Sequence, residues 1–259
     1  MKTRAAFSLV ELSIVLVILG LLTGGIMAGQ SLIRGAELRS TISDQGKYRS
    51  SLLAFRDKYG QLPGDFDSAV KYWGAQAGGT ADGVDATCQA LTTAATGTAT
   101  CNGNGDGQIN ASTAEMWRAW QHMANAGFIE GQYSGVSSAA NAAVIGSNVP
   151  RGRMGGSGWT WQGGDWNGGD NCDFPQSDNR LAFGGQVTGN ITMGAILKPE
   201  EAWSIDSKTD DGMPGTGGTL SWAPGCLPNC TTGLTTAAAY NVSYTGAACA
   251  LIFLPGSRS

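Results

Sequence analysis

Residues 5–33 read AAFSLVELSIVLVILGLLTGGIMAGQSLI, an apolar run that is long enough to cross a lipid bilayer. Its one charged residue is Glu11, which lies close to the start of the run. A carboxylate inside a membrane helix costs roughly 2.5–3.5 kcal/mol to insert, so such a group is expected to have a function and a partner. The sequence therefore predicts a membrane helix with a functional acid near its N-terminal end.

The residues before the apolar run indicate what that partner is. A short basic leader, residues 1–6, ends in a pair of alanines directly before Phe7. A secretory signal has its small-residue cleavage site after the apolar segment, whereas the candidate site here precedes it. Cleavage after Ala6 would keep the helix and give Phe7 a new α-amino group. That amine and the Glu11 carboxylate of a neighbouring copy would then neutralise each other.

The junction of Ala6 with Phe7-Ser-Leu-Val-Glu11, followed by Leu, Ile and Val, closely resembles the N-terminal segment of type IV prepilins and type II secretion pseudopilins over residues 1–60. The resemblance implies that a prepilin peptidase cuts before Phe7 and that Phe7 is N-methylated. It also implies that helices bundle in a filament, where Glu11 meets the Phe7 amine of an adjacent subunit, and that an inner-membrane pilus or secretion machinery assembles them. Ala6 replaces the usual glycine of the family, and no proline lies near Ala28.

The basic leader also predicts the orientation of the chain. Lys2 and Arg4 precede the apolar run, which by the positive-inside rule leaves the N-terminus in the cytoplasm and the rest of the chain outside. The precursor is thus expected in a bacterial inner membrane, and the mature protein in an extracellular or periplasmic filament. An uncleaved single-pass anchor or an atypical signal peptide also contains such a run, but explains neither Glu11 nor the position of the leader.

The composition indicates an exported, loop-rich body. The chain of 259 residues has 16 Lys and Arg against 20 Asp and Glu, so removal of Lys2 and Arg4 leaves 14 against 20, a formal charge near −6. No specific nucleic acid is predicted as a partner, because nucleic-acid binding depends on a basic surface. Charged residues make up only 14% of the chain while glycine occurs 40 times, which favours many loops around one moderate core.

The predicted fold is α+β and is that of a pilin, with a long N-terminal helix on a globular head that contains an antiparallel sheet. Apolar residues recur at helical spacing beyond the membrane segment to about Tyr59, so the helix is expected to continue as an amphipathic half. The expected organisation is a leader at 1–6, a transmembrane and assembly half at 7–33, an amphipathic half at 34–60 and a head at 61–259. Strands are expected at 181–183, 186–187, 191–197 and within 240–254.

All six cysteines lie beyond the membrane segment, and an even number in an oxidising compartment indicates disulfides. A metal site at residues 226 and 230 is the alternative, but no second thiol pair or nearby histidine completes a zinc site. Proximity favours the pairs Cys88 with Cys101 and Cys226 with Cys230, which leaves Cys172 for Cys249.

A first cation candidate lies in the middle of the chain. Asn102, Asn104 and Asp106 alternate before a glycine, as in EF-hand calcium loops, and Glu115 is the acid available after them. The alternative is a turn held by its own side-chain hydrogen bonds, with Glu115 in a capping box that starts a helix at about 113–126. No cofactor is predicted to be required, and calcium is the candidate ligand.

A second cation candidate is an acidic segment that resembles the Asp-Asp-Gly loop near the end of large-headed pilin-like proteins. It contains Asp206, Asp210 and Asp211. These carboxylates either bind a cation or cap and turn the loop, and the sequence leaves both interpretations open.

Three tryptophans in a glycine-rich stretch also allow two interpretations. Trp159, Trp161 and Trp166 would form an exposed platform for a sugar or a host surface, or they would fill the core of the head, which is favoured. An enzyme is not predicted, since His122 is the single histidine and lacks a positioned nucleophile; a structural or surface role is expected for it.

The function predicted from these features is a structural subunit of a type IV pilus-like filament, formed from copies of this chain or from mixed subunits. A type II secretion pseudopilin, which uses the same helix in a short periplasmic filament, is the first alternative. An alternative of another class is a membrane-anchored adhesin that recognises glycans through the three tryptophans.

Overall fold

The computed structural model of the protein describes residues 9–78, 88, 93–110, 114–137, 142–163, 179–222, 227–233 and 235–256. A long N-terminal helix is attached to a head with a small antiparallel sheet, which confirms the predicted α+β architecture. The helices are α1 (Leu9–Tyr59), α2 (Ala69–Trp73), α3 (Glu115–Asn125) and α4 (Pro199–Thr209), and the strands are β1 (Ser157–Gln162), β2 (Arg180–Gly185), β3 (Thr219–Ser221) and β4 (Leu251–Phe253).

Helix α1 is continuous over 51 residues, but its two halves have different surroundings. Nearly every residue of the apolar half, 9–33, is exposed. In the second half the buried positions recur at helical spacing, with residues 51 and 52 as adjacent members of one stripe, which places them on one face against the head. The helix ends at Tyr59 because Gly60 takes a positive φ of 77° that favours glycine, as the sequence predicted. The buried residues of α1 are Thr41, Tyr48, Ser51, Leu52 and Phe55.

The sheet has the strand order β1-β2-β4-β3, and all neighbouring strands are antiparallel. Every residue of β1 and β2 is buried, so both faces of these strands are covered. The predicted strand at 181–183 is confirmed, and part of 240–254 forms β4. The strands predicted at 186–187 and 191–197 are wrong, since only isolated bridges, Gly194 with Gly185 and Leu197 with Cys249, form there.

Aromatic packing attaches the amphipathic half of α1 to the head. The Tyr48 ring meets Trp120 of α3 edge to face at a centroid distance of 4.9 Å and Trp159 of β1 at 5.5 Å. Trp159 in turn lies opposite Phe183 of β2, with ring centroids 4.5 Å apart. Pairs of this geometry add about 0.5–1.5 kcal/mol each to the burial of the rings. One tyrosine thus joins the long helix to both α3 and the sheet.

Two disulfides are present in the described part of the chain. Cys88 bonds with Cys101, as predicted, with Cα atoms 6.2 Å apart. Cys230 bonds with Cys249, with Cα atoms 5.0 Å apart. The predicted pairs Cys226 with Cys230 and Cys172 with Cys249 are therefore wrong, and Cys172 and Cys226 themselves lie outside the described residues. Proximity in sequence failed because the segment after Cys230 turns back, so that the Asn241 N–H donates to the Cys230 carbonyl.

Candidate functional site

The first candidate site is the uncovered half of α1. Within the described residues, α1 is the one helix with a stretch long and apolar enough to cross a membrane, and none of that stretch is buried by the head. Its side chains are exposed by about half or more, with Leu21 at 73%. An apolar surface of this extent requires lipid or another protein around it.

Glu11 lies in the first turn of this helix and is exposed. The hydroxyl of Ser13, half a turn further on, donates a hydrogen bond to the Val10 carbonyl at 2.9 Å, so its polar group has a partner within the helix. The predicted processing residues Ala6 and Phe7 lie outside the described residues.

The junction between the apolar half and the head is held by an ion pair that the sequence did not predict. Arg34 follows the last apolar residue and donates from Nε to Glu201 Oε1 at 2.6 Å and from Nη2 to Oε2 at 2.7 Å. Its Nη2 also donates to the Ile196 carbonyl at 3.1 Å. Burial acts to raise the pKa of Glu201, but hydrogen bonds from Arg34 and the Lys198 N–H outweigh it and lower that pKa. The one sequence signal was a cation directly after the apolar run.

At the first cation candidate, the structure brings together a different set of oxygen-bearing side chains from the predicted one. Asp65, Asp106 and Glu115 place carboxylate oxygens within 4.8 Å of one another. Asn102 instead turns its Oδ1 to the Val70 N–H at 2.8 Å. Asp65 was missed because it lies 41 residues before Asp106, so no local pattern connects the two.

Hydrogen bonds within this cluster are those of a turn held by its own side chains. Asp65 accepts the N–H groups of Asp106 and Gly107 at 3.0 and 2.9 Å, one on each carboxylate oxygen. Asn104 Oδ1 accepts the Asp106 N–H at 3.0 Å, and Glu115 accepts the N–H groups of residues 104 and 110. Burial raises the pKa of Asp65 to about 6. Helix α3 begins at Glu115, close to the predicted start at about 113, and residues 111–113, which would supply the partner of Glu115 in the predicted capping box, lie outside the described residues.

The second cation candidate also brings its three carboxylates within 4.8 Å of one another. Asp206, which is fully buried, accepts the Tyr240 hydroxyl at 2.8 Å and the Gly212 N–H at 3.2 Å. Asp210 accepts the N–H groups of residues 218 and 219, and Asp211 accepts the N–H of residue 213. Burial raises the pKa of Asp206 to about 7. These are the hydrogen bonds expected of carboxylates that cap and turn the loop, and calcium binding stays a prediction at both places.

The favoured interpretation, that the tryptophans fill the core, is confirmed for the two that the structure describes, and the alternative of an exposed platform is wrong for them. Trp159 and Trp161 are fully buried, because β1 is covered on both faces. The ring centroids of Trp161 and Trp120 are 6.1 Å apart in the core. Trp166 lies outside the described residues. The head instead exposes Trp203 of α4, with 49% of its surface accessible.

His122 has a structural environment. It is fully buried, and its Nδ1 accepts the Gly64 N–H at 3.0 Å, while Nε2 lies 3.0 Å from the Thr100 hydroxyl and 3.2 Å from the Cys101 carbonyl. Burial lowers its pKa to about 3, so the imidazole is neutral at physiological pH. This environment fits the structural role expected for it.

Comparison with known protein families identifies the N-terminal segment. Residues 1–27 match the family described as the prokaryotic N-terminal methylation motif. This match includes the leader, the predicted cleavage junction, Glu11 and most of the uncovered half of α1. No curated protein and no solved structure has a significant match to the chain.

Proposed function

The chain carries the N-terminal signature of the type IV pilin and pseudopilin family, and from it we propose that the protein is a structural subunit of a type IV pilus-like filament. A prepilin peptidase removes residues 1–6, Phe7 is methylated, and the apolar halves of α1 bundle in the filament. The single observation that supports assembly most directly is that this half of α1 is apolar over its length and uncovered by its own head.

Glu11 supplies a reason for a bundle rather than a simple anchor. A lipid-facing carboxylate is unfavourable by roughly 2.5–3.5 kcal/mol, and an adjacent amine in a region of low dielectric offsets that cost. The new amine of Phe7 is such a group, and it becomes available on a neighbouring copy once the leader is removed. A subunit whose Glu11 has met that amine is therefore stabilised in the filament relative to the membrane.

The partners and the location follow from this assembly. The precursor lies in the inner membrane with its N-terminus in the cytoplasm, and the head lies on the other side until assembly machinery extracts the subunit. The filament is then extracellular or periplasmic, and it consists of copies of this chain or of mixed subunits. The role is structural, without an enzymatic activity of the chain itself.

The experiment that tests this function combines processing and assembly. We expect intact-mass analysis and N-terminal sequencing of sheared surface material to find a chain that starts at methylated Phe7. Glu11→Ala should insert into the membrane normally but be lost from filaments, whereas Ser13→Ala, a polar change on the same helix, should assemble normally. Filaments of normal yield from Glu11→Ala, or an intact Met1 in the mature chain, would contradict the proposal.

A type II secretion pseudopilin is the second candidate, since it carries the same N-terminal signature. It differs in where the processed chain is found. A chain that starts at Phe7 but occurs only in membranes, together with a secretion defect on deletion, would favour the pseudopilin. Trp159 and Trp161 do not support the alternative of a glycan-binding adhesin, because both rings are buried in the core and cannot contact a glycan.

A further inference from the structure

We propose that the outer face of α4 docks on the exposed face of α1 of a second copy of this chain. The docking surface, here called the aromatic patch, is defined as Trp203 of α4 together with Met213 and Val242, with the acid Glu200 at its edge. The receiving surface is a basic stripe on α1, defined as Arg39, Ser43 and Lys47. This inference rests on the proposed function, since it names the contact between heads and helices within the filament.

The aromatic patch lines a surface cavity of about 600 Å³ whose walls include Glu200 and Tyr240. Trp203 protrudes because Ala202, Ile205 and Asp206 form the buried face of α4, which leaves Trp203 on the outside with 49% of its surface accessible. Val242 is 55% accessible beside it. A large aromatic side chain over an apolar cavity is typical of the core of a protein interface.

The surroundings of the patch are acidic. Residues 198–212 contain five acidic and two basic side chains; with Glu201 paired to Arg34 and Asp206 buried, Glu200, Asp210 and Asp211 remain against Lys198 and Lys208. Glu200 lines the cavity itself and is exposed, and Asp211 is exposed two residues before Met213. The occupant of the patch is therefore expected to present positive charge to an aromatic ring.

The amphipathic half of α1 has the complementary charge. Residues 34–59 contain six basic and three acidic side chains, a formal charge of +3. Arg39, Ser43 and Lys47 follow one another at four-residue spacing on one exposed face. Among the described residues, neither Arg39 nor Lys47 has a carboxylate within 4.0 Å, although the charge of Lys47 acts on Asp44, where it favours the ionised form and so acts to lower the pKa.

The shape of the basic stripe suits an aromatic ring. Arg39 and Lys47 are about 12 Å apart along the helix axis at ~1.5 Å per residue, and the small side chain of Ser43 lies between them. Trp203 of a second copy can rest on Ser43 with a cation on either side, in cation–π geometry. Such contacts contribute about 0.5–1 kcal/mol at exposed sites and more once water is excluded.

A second copy fits better than a membrane surface. The two surfaces comprise different residues of one chain, so the contact between copies is heterologous, and a heterologous contact that does not close produces an open helical filament. An anionic membrane surface would instead be repelled by Glu200 and Asp211. The observed charges therefore favour the basic stripe of the next subunit.

Photo-crosslinking in the full-length chain tests this directly. With p-benzoylphenylalanine in place of Trp203, assembled filaments should give a crosslink between copies whose partner peptide contains residues 36–50. The same group in place of Tyr72, an aromatic side chain of the head that is 62% accessible, serves as the control and should not reach this peptide. A crosslink from position 203 to lipid, to its own chain or to another part of a second copy would overturn the inference.

Charge reversal provides a second test. Glu200→Lys should reduce filament yield about tenfold by placing like charges together, and a further Arg39→Glu or Lys47→Glu should restore most of it. Arg56→Glu, also an exposed arginine of α1 but outside the stripe, should not restore it. If the chain without these charge substitutions forms filaments but position 203 crosslinks elsewhere, the docking surface is wrong and the proposed function stands. If the unaltered chain forms no filament and is not processed before Phe7, the proposed function itself fails.

Discussion

Arg34 and Glu201 form a two-pronged ion pair that ties α1 to α4 at the residue where the apolar half of α1 ends. Glu201 also accepts the Lys198 N–H at 2.9 Å, so the same carboxylate caps α4. The side chains are 34% and 13% exposed, which leaves the pair partly shielded from solvent. A force on the apolar helix is therefore passed to the head at its boundary, and not only through the aromatic core around Tyr48.

The first prediction concerns this ion pair. Glu201→Gln should lower the free energy of unfolding by about 1 kcal/mol, because it removes a charge-assisted bidentate contact that is partly exposed. Urea unfolding of the full-length chain in detergent, followed by tryptophan fluorescence, measures it. Because the pKa of Glu201 is lowered in the folded state, the contribution is present above the unfolded pKa and is lost as the pH falls through the folded pKa. Glu200→Gln is the control, and an equal loss there would contradict the prediction.

The second prediction separates buried from exposed tryptophans. Trp159→Ala should destabilise the head by about 3–5 kcal/mol, since it removes a fully buried ring that contacts Tyr48 and Phe183. Trp203→Ala, by contrast, should lower the free energy of unfolding by much less, because about half of its surface is already exposed to solvent in the folded chain. The measurement is the urea midpoint of each variant. A small effect of Trp159→Ala would mean that β1 is not packed as described.

The long helix was predictable from local sequence, whereas most of the head was not. The apolar run and the helical spacing up to Tyr59 are local signals, and Gly60 marks the end. Strand β1 was missed because Trp159 and Trp161 alternate with residues that are buried as well, which removes the alternation that identifies a half-exposed strand. β3 is only three residues long and gave no signal.

Contacts between distant residues account for the remaining differences at the candidate sites. Asp65 meets Asp106 and Glu115 only after the chain has turned at the end of α1. Arg34 and Glu201 are separated by 167 residues, so charge alone could not have paired them. Glu11, in contrast, could be predicted to have a function because its signal, a charge within an apolar run, is complete within a few residues, and its role in assembly stays a prediction.

The third prediction tests the disulfide that replaced the expected pairs. Non-reducing peptide mapping should recover a peptide that joins Cys230 to Cys249. Cys230→Ser together with Cys249→Ser should destabilise the head by about 2–5 kcal/mol, the usual cost of losing a native disulfide. A peptide that joins Cys226 to Cys230 would contradict the structure and restore the pairing predicted from proximity.

The fourth prediction concerns calcium. Three carboxylates within 4.8 Å at Asp65, Asp106 and Glu115 repel one another, and a divalent cation would relieve that repulsion. We expect calcium to raise the thermal midpoint, because a hundredfold excess over Kd adds about 2.7 kcal/mol to the free energy of unfolding. We expect the protein to stay folded in EDTA. Asp106→Asn should reduce the effect, whereas Asp57→Asn, an exposed acid of α1 outside both clusters, should not. A midpoint that calcium does not change would favour a turn held by its own hydrogen bonds alone.

The fifth prediction is a pH dependence opposite to the usual one for carboxylates. Asp206 has a folded pKa of about 7 because it is buried, while an unfolded aspartate titrates near about 3.9. The folded state thus holds the extra proton between these values, so the contribution of Asp206 to the free energy of unfolding falls as the pH rises from about 4 to 7.

Urea unfolding at pH 5 and pH 8 measures this contribution by comparing the full-length protein with Asp206→Asn. The amide keeps a hydrogen-bonding partner for the Tyr240 hydroxyl but does not titrate, so the variant should lose less stability between pH 5 and pH 8 than the original chain does. Asp65, with a pKa of about 6, acts in the same direction and leaves part of the slope in place. Glu200→Gln should keep the full slope. An identical pH slope in Asp206→Asn would show that this carboxyl group is already ionised in the folded protein at pH 5.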